Sequence, residues 1–377
     1  MKKSVSVILI LVTLIFTHVH AKEIHDIAAK SYILLDGATG NVLVEKEADV
    51  KLPPASITKI MTMLLTMEAI DRGTLNFDDV ITVSDTAAMH EGSHVFLANG
   101  EQITVHELLK AIAVASGNDA SIAMAEAVCG TQSEFVKAMN NRAKELGMNN
   151  TNFINCNGLD ADGHVSCARD IGIMTCELMK HPKIFEYTGI WIDSLRNGEF
   201  QLANTNKLIR FYEGANGMKT GSTSKAGYCL SATAKRNDIQ LVAVVLNSPT
   251  SKDRFADAST LLNYGFANYT RKNMVNSGEI ISEISVIKGT KEKIMVVPEK
   301  ECNLLIKSNE INSIEQIISL RENIQAPVKQ GDYVGKITFK IGEREVGNVN
   351  LVSSENSDKI SLSYLMNAFY KNLIHSV

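Results

Sequence analysis

Residues 53–62 read Pro53-Pro54-Ala55-Ser56-Ile57-Thr58-Lys59-Ile60-Met61-Thr62. Two prolines stiffen the approach to a serine. From that serine onward, apolar residues recur at 57, 60, 61, 64 and 65, the spacing of a helix. Proline just ahead of the first turn suits a helix N-terminus. Residues three apart share a helical face, which brings the Ser56 hydroxyl and the Lys59 amine within hydrogen-bond reach. A serine beside a lysine can run acyl transfer without histidine, provided the lysine is neutral. Near pH 7 a solvated lysine is an ammonium and accepts nothing, so burial, or the nearby cation of Lys219, must lower its pKa. The Ser56 backbone N–H, at the start of a helix, is a candidate oxyanion donor.

S-x-x-K occurs three times in the chain, again at Ser222–Lys225 and Ser285–Lys288, so context has to select one. Two further motifs follow Ser56 in fixed order. Ser116-Gly117-Asn118 ends one apolar helical run and begins another. A serine at such a junction is commonly a helix cap; here it is also a candidate second hydroxyl that relays a proton between Lys59 and a leaving amine. Asn118 is a candidate ligand for a substrate amide. Lys219-Thr220-Gly221, the chain's one K-T-G, opens an extended segment. Lys219 and Thr220 can hold a carboxylate, and Gly221 is expected to leave room for substrate beside the backbone. The N–H of Ser222 can complete the oxyanion hole.

Outward from these motifs, Ser31–Val44 holds two short extended runs around the turn-rich Asp36-Gly37-Ala38-Thr39-Gly40-Asn41, a hairpin signal. Helical patterns cover 104–116, 118–128, 133–146 and 168–180. Tyr228–Ala234 and Ile239–Leu246 form a second hairpin pattern across Lys235–Asp238. An early hairpin, a helical middle and late strands predict an α/β catalytic domain, residues 22–272. Short alternating stretches between 278 and 352 predict a small β-rich domain, 273–355. A tail, 356–377, follows; within it Leu362, Leu365, Met366, Phe369, Tyr370, Leu373 and Ile374 share one helical stripe. That stripe suits either a membrane interface or packing on the β-domain.

The N-terminus reads as a signal peptide, 1–21: Lys2-Lys3, a nearly all-apolar Val5–Phe16, and a Val19-His20-Ala21 cleavage site. Its removal implies work outside the cytoplasm. Across 377 residues, 45% hydrophobic and 21% charged residues describe a globular protein. A net charge of −4 with no basic run speaks against nucleic acid. The six cysteines are scattered without a C-x-x-C, and mostly free thiols are expected, although Cys156 and Cys167 could pair.

Leu52–Thr62, Ser116-Gly117-Asn118-Asp119-Ala120 and Gly217-Met218-Lys219-Thr220-Gly221 resemble the D-alanyl-D-alanine carboxypeptidases, the low-molecular-mass penicillin-binding proteins. Glu91-Gly92-Ser93, Asn155–Leu159 and Arg169-Asp170 extend the likeness over residues 30–270. The resemblance implies a transpeptidase fold like that of the serine β-lactamases, followed by the β-rich domain and a tail that anchors to the membrane surface. It implies no cofactor. Its substrate is the peptidoglycan stem ending in D-Ala-D-Ala. Ser56 attacks the penultimate carbonyl, D-alanine leaves, and water hydrolyses the acyl-enzyme. Penicillins acylate the same serine. Arg254, in Asp253-Arg254-Phe255, matches an arginine that the family sets near the substrate carboxylate.

Three rivals have sequence support. His90-Glu91-Gly92-Ser93-His94 is a literal H-E-x-x-H, but Gly92-Ser93 is poor helix sequence for a zinc site. A β-lactamase-type hydrolase needs a deacylating glutamate, and Glu145-Leu146-Gly147-Met148-Asn149 approximates its E-x-x-L-N. There Glu145 closes an amphipathic helix and reads as solvated. A non-catalytic peptidoglycan-binding protein is the third, opposed by the presence of every catalytic residue named.

Overall fold

A computed structural model describes residue 24 and residues 26–366. The signal peptide and the tail beyond 366 lie outside the described residues.

The frame of the first domain is a five-stranded antiparallel sheet. Strands β1 (Ser31–Asp36) and β2 (Val42–Lys46) form the early hairpin. Three long late strands, β3 (Ala215–Thr223), β4 (Gly227–Arg236) and β5 (Ile239–Ser248), complete a sheet of order β2-β1-β5-β4-β3. Strand β5 shows how the sequence dictates this placement. Its side chains alternate between faces, and both sets are apolar: Val242, Val244 and Leu246 enter one core cluster, Leu241, Ala243 and Val245 another. A strand with no polar face has to be covered twice. The helix 251–268, capped by Thr250 through the Asp253 N–H, covers one face with Leu261 and Leu262.

The other face carries the helical region. Helices α1 (Lys59–Asp71), α2 (Asn118–Cys129) and α3 (Ala168–Leu178) sit among the largest core cluster. All of α1 is buried except a few positions near its end, so it is a central helix and not an amphipathic surface one. The run predicted at 104–116 divides into an α-helix, Val105–Lys110, and a π-helical turn, Ala111–Ala115.

The helix 251–268 runs directly into a strand, Tyr269–Val275, paired with Cys302–Lys307. A six-stranded sheet follows, around a core of Ile294, Val296, Val334, Ile337, Phe339 and Leu351. Arg271 reaches back to bond Asp36 at 3.1 Å, and the Tyr269 hydroxyl donates to the Leu43 carbonyl. All six cysteines are free thiols; Cys167 caps α3 through its sulfur. At 362–366 the chain is helical with Leu362, Leu365 and Met366 exposed, and the Tyr364 hydroxyl donates to the Thr290 carbonyl.

Candidate active site

Ser56 does not start the α-helix itself. It sits in a single 3-10 turn, Ala55–Thr58, and α1 begins at Lys59. Ala55 adopts the left-handed region at φ 49°, costly for a residue with a side chain. Three bonds in series oppose that cost. The Thr58 hydroxyl donates to the Ala55 carbonyl at 2.8 Å, and His164 Nε2 lies 2.8 Å from the same hydroxyl. The Ile154 N–H donates to His164 Nδ1, which is therefore unprotonated, and the ring's hydrogen is on Nε2, facing Thr58. Burial pushes the His164 pKa down to about 4, so this tautomer persists throughout the neutral range.

The Lys59 side chain is fully buried, with three oxygens around its nitrogen: Ser56 Oγ at 3.0 Å, Asn118 Oδ1 at 2.7 Å and the Asn157 carbonyl at 2.6 Å. Two of these are carbonyl-type oxygens that only accept. A neutral amine has two hydrogens and one lone pair. Donating the hydrogens to Asn118 and Asn157 leaves the lone pair aimed at the Ser56 hydroxyl, the arrangement a general base requires. Burial lowers the Lys59 pKa to about 7, opposed by Cys156 and Asp119. Of the two causes expected for that shift, burial is the one at work on Lys59; the Lys219 charge is not among the influences on it.

Ser116 closes the π-helical turn in left-handed geometry (φ 63°, ψ 31°) and is 4% exposed. It is therefore the C-cap of that turn, while Gly117 and not Ser116 occupies the N-cap of α2. Its hydroxyl makes no hydrogen bond to Lys59. Asn118 spends its side chain on the protein: Oδ1 accepts from Lys59 while Nδ2 donates to the Glu91 carbonyl at 2.6 Å. One amide hydrogen is left for a ligand, so its first job is to orient Lys59.

Strand β3 forms the opposite wall. The reason for glycine at 221 differs from the one expected. A Cβ there would lie 3.0 Å from Ser56 N, Ile57 N and Pro54 O, so glycine admits the backbone of the nucleophile turn and not a substrate. Gly158, at φ +89°, abuts the same turn from the other side, where a Cβ would overlap the Ala55 carbonyl. Ser222 is exposed at the cleft, whereas Lys219 is 1% exposed and donates to the Thr220 carbonyl at 3.0 Å. The Thr220 hydroxyl donates to Thr205. Arg254 bonds the Gly221 carbonyl at 3.1 Å and rests on the rings of Phe255 and Tyr228, with its buried Nε unpaired. Burial, then Lys59, then Arg254 hold the Lys219 pKa well below its ordinary value. Among the described residues no carboxylate hydrogen-bonds Lys59, Lys219 or Arg254.

The zinc-like segment is not helical. His90 Nε2 lies 2.5 Å from Asn157 Nδ2, and the His94 ring nitrogen bonds the His90 carbonyl. No group of three or more His, Cys, Asp or Glu among the described residues is placed to hold a metal. Glu145 is exposed at 64% and pairs with Arg142, outside the site. Sequence reasoning did not single out His164 or the Asn157 carbonyl. The Asn-Gly turn at 157–158 was a readable signal for a tight bend, but nothing local announces the partner it meets.

Residues 17–250 match the D-alanyl-D-alanine carboxypeptidase family, and residues 269–359 match the penicillin-binding protein 5 C-terminal domain. The chain is 43% identical over 316 residues to the D-alanyl-D-alanine carboxypeptidase DacF of Bacillus subtilis, covering 83% of this chain and 81% of that one. Its fold is similar to crystal structures of penicillin binding protein 5 from Haemophilus influenzae (TM-score 0.81, 30% identity, 89% and 98% coverage). It is also similar to penicillin-binding protein D2 from Listeria monocytogenes in an ampicillin-bound form (TM-score 0.56, 32% identity, 64% and 98% coverage).

Proposed function

The chain belongs to the D-alanyl-D-alanine carboxypeptidase family, and from that premise we propose how its own residues run the reaction. It is a serine-type D-Ala-D-Ala carboxypeptidase of the penicillin-binding-protein fold, followed by a β-rich C-terminal domain. Ser56 is the nucleophile and Lys59 its base. The observation that carries this assignment is the Lys59 amine, with a pKa near 7 and 3.0 Å from the Ser56 hydroxyl.

The stem peptide lies in the cleft with its terminal carboxylate toward Lys219, Thr220 and Arg254. An anion there supplies a bonded counter-charge, and its binding favours the ammonium form of Lys219. Ser56 Oγ attacks the penultimate D-alanine carbonyl while its proton passes to Lys59 Nζ. The N–H groups of Ser56 and Ser222 receive the oxyanion, and Gly221 keeps the two segments close enough to share it. When the C–N bond breaks, the amine of the leaving D-alanine takes a proton from Lys59, with the Ser116 hydroxyl as the relay. Water then attacks the acyl-enzyme, gives its proton to Lys59, and releases the shortened peptide and Ser56. Asn118 orients Lys59 throughout. Penicillins enter the same step at the β-lactam carbonyl, and their leaving nitrogen remains tethered in the cleft.

The absence of a carboxylate bonded to Ser56, Lys59 or Ser116 among the described residues supports the carboxypeptidase reading over a β-lactamase-type hydrolase. The apolar leader supports export by a signal peptide and work beside the cell wall. The amphipathic tail supports attachment to the outer membrane face; no helix among the described residues is long and apolar enough to cross a membrane. We take 22–272, 273–355 and 356–377 as the units of the exported chain. Mass spectrometry after benzylpenicillin tests the assignment: one adduct on the Ser56 peptide is expected, and an adduct elsewhere removes Ser56 from the mechanism.

A further inference from the structure

His90 belongs to the one motif that neither the fold nor the carboxypeptidase chemistry has absorbed. It sits half-buried at the start of the loop whose Glu91 and Ser93 carbonyls accept from Asn118, with its Nε2 2.5 Å from Asn157 Nδ2. Hydrogen-bond logic fixes the direction of this contact. Asn157 Oδ1 accepts the Leu159 N–H at 3.0 Å, so turning the amide over would set a donor against a donor. Nδ2 therefore faces His90 and donates, and His90 Nε2 accepts with the ring neutral and its hydrogen on Nδ1. The His94 ring, bonded to the His90 carbonyl, holds the loop in this position.

Asn157 is also the residue whose carbonyl receives a hydrogen from Lys59, 2.6 Å away. We propose that His90 is a positioning residue for acylation: neutral, it fixes the Asn157 turn that aims the Lys59 lone pair at Ser56; protonated on Nε2, it releases that turn. A proton on Nε2 places an N–H directly against the Asn157 N–H, and the contact becomes repulsive. The Asn157 carbonyl then leaves Lys59, which loses one of the two acceptors that orient its lone pair. The charged and titratable groups facing His90 are Lys59 from α1, His94 and Glu91 from its own loop, and Asp119 from α2. Burial, Lys59 and His94 together lower its pKa, outweighing the two carboxylates, so the latch is closed at neutral pH and opens on acidification.

This inference rests on Lys59 being the base, and the test separates the two. The acylation rate of the full chain by benzylpenicillin is followed from pH 5 to pH 9 for wild type, His90→Gln and His90→Leu. Wild type requires Lys59 and His90 both neutral, so the plot of log rate against pH bends from a slope of one just below pH 7 to a slope of two at lower pH. Glutamine offers an oxygen to Asn157 and does not titrate. H90Q is expected to keep a slope of one throughout, with a rate within about two-fold of wild type at pH 8. Leucine offers no acceptor, and H90L is expected to be about five-fold slower at pH 8, also with a slope of one. A merely structural histidine would change the melting temperature and leave the steepness alone. A slope of two surviving in H90Q, or wild-type rates at every pH in H90L, overturns the proposal. A wild-type enzyme that forms no adduct at any pH overturns the assignment of Lys59 and Ser56 along with it.

Discussion

Replacing Thr58 by valine tests whether the turn under the nucleophile is held by hydrogen bonds or merely by packing. Valine matches threonine in shape, so the change removes a hydroxyl without opening a cavity. The buried His164 Nε2–H loses its partner, and the Ala55 carbonyl, which stays within the 3-10 turn, loses its side-chain donor. An unsatisfied buried donor costs about 1–3 kcal/mol and a lost hydrogen bond about 1 kcal/mol, which gives about 2–4 kcal/mol together. Thr58→Ser keeps the hydroxyl and loses one methyl, for about 1 kcal/mol. Thermal unfolding of the catalytic domain, at roughly 2–4 °C per kcal/mol, should place T58V about 5–15 °C below wild type and T58S within a few degrees of it. Because Ala55 then loses the bond that restrains its left-handed backbone, T58V should also acylate with benzylpenicillin at least about ten-fold more slowly, a barrier change of about 1.4 kcal/mol. The pH dependence of stability has a definite sign. His164 is neutral in the folded protein down to about pH 4 but protonates near its ordinary 6.5 when unfolded. The unfolded state binds the extra proton in that window, so stability falls as pH drops from 6.5 to 4, by up to about 3 kcal/mol from this group. His164→Gln should flatten that part of the profile. A T58V protein that melts within 2 °C of T58S and acylates at the wild-type rate would refute the bonded-turn account.

Other expectations follow from the same geometry. With Lys59 at about 7 and active when neutral, acylation should rise with pH through 7 and fall about ten-fold per unit just below it; a rate flat down to pH 5 removes Lys59 as the base. Gly221→Ala sets a methyl 3.0 Å from three backbone atoms of the Ser56 turn, so acylation should drop about ten- to a hundred-fold with little loss in melting temperature; an unchanged rate would show that the turn yields freely. Arg254→Gln removes a cation beside Lys219 and should raise KM for a D-Ala-D-Ala peptide about ten-fold more than it lowers kcat, read from steady-state release of D-alanine. Glu145→Gln should leave deacylation of the penicilloyl-enzyme unchanged within about two-fold, since Glu145 pairs with Arg142 at the surface; a slower release would restore it as a candidate deacylating group.

Periodic features of the fold were legible in the sequence because packing imposes periods. Strand β5 alternates two apolar faces, and a sheet covered on both sides is the way to bury them. The apolar spacing after Ser56 placed Lys59 on α1, and K-T-G was read at the opening of an extended segment, whereas the strand begins earlier, at Ala215, and carries the motif in its second half. What escaped the sequence is contact between distant residues. His164 meets Thr58 across 106 residues, and the Asn157 carbonyl meets Lys59 across 98. Neither contact has a period, a cap signature or a composition shift to announce it. Ser116 illustrates the same boundary: its motif suggested a cap or a relay, and only the backbone shows which cap, the left-handed C-cap of a π-turn with Gly117 at the next N-cap. Gly221 shows a residue correctly singled out for the wrong physical reason. A glycine demands close approach, but the sequence alone does not say whether ligand or protein does the approaching.

The electrostatics of the cleft bear on why this arrangement suits a substrate with a free carboxylate. Lys59, Lys219 and Arg254 converge without a bonded carboxylate among the described residues, and burial opposes charge on each of them. Such a cluster destabilises the folded protein relative to a neutral one, because buried cations keep little of their hydration. The same cluster discriminates between ligands. A terminal carboxylate beside Lys219 favours its charged form, whereas an amidated terminus leaves the cations unpaired, which makes rejection a matter of electrostatics as well as fit. The coupling between the two lysines acts on Lys219: a Lys59 without its proton no longer opposes charge on Lys219, and so favours the ammonium that would hold the carboxylate. In the proposed reaction a neutral Lys59 therefore serves twice, as the acceptor of the Ser56 proton and as a neighbour that does not oppose charge on Lys219. A substrate amidated at its terminus should therefore lose affinity, read as a raised KM, and an unchanged KM would mean that Lys219 and Arg254 do not hold the carboxylate.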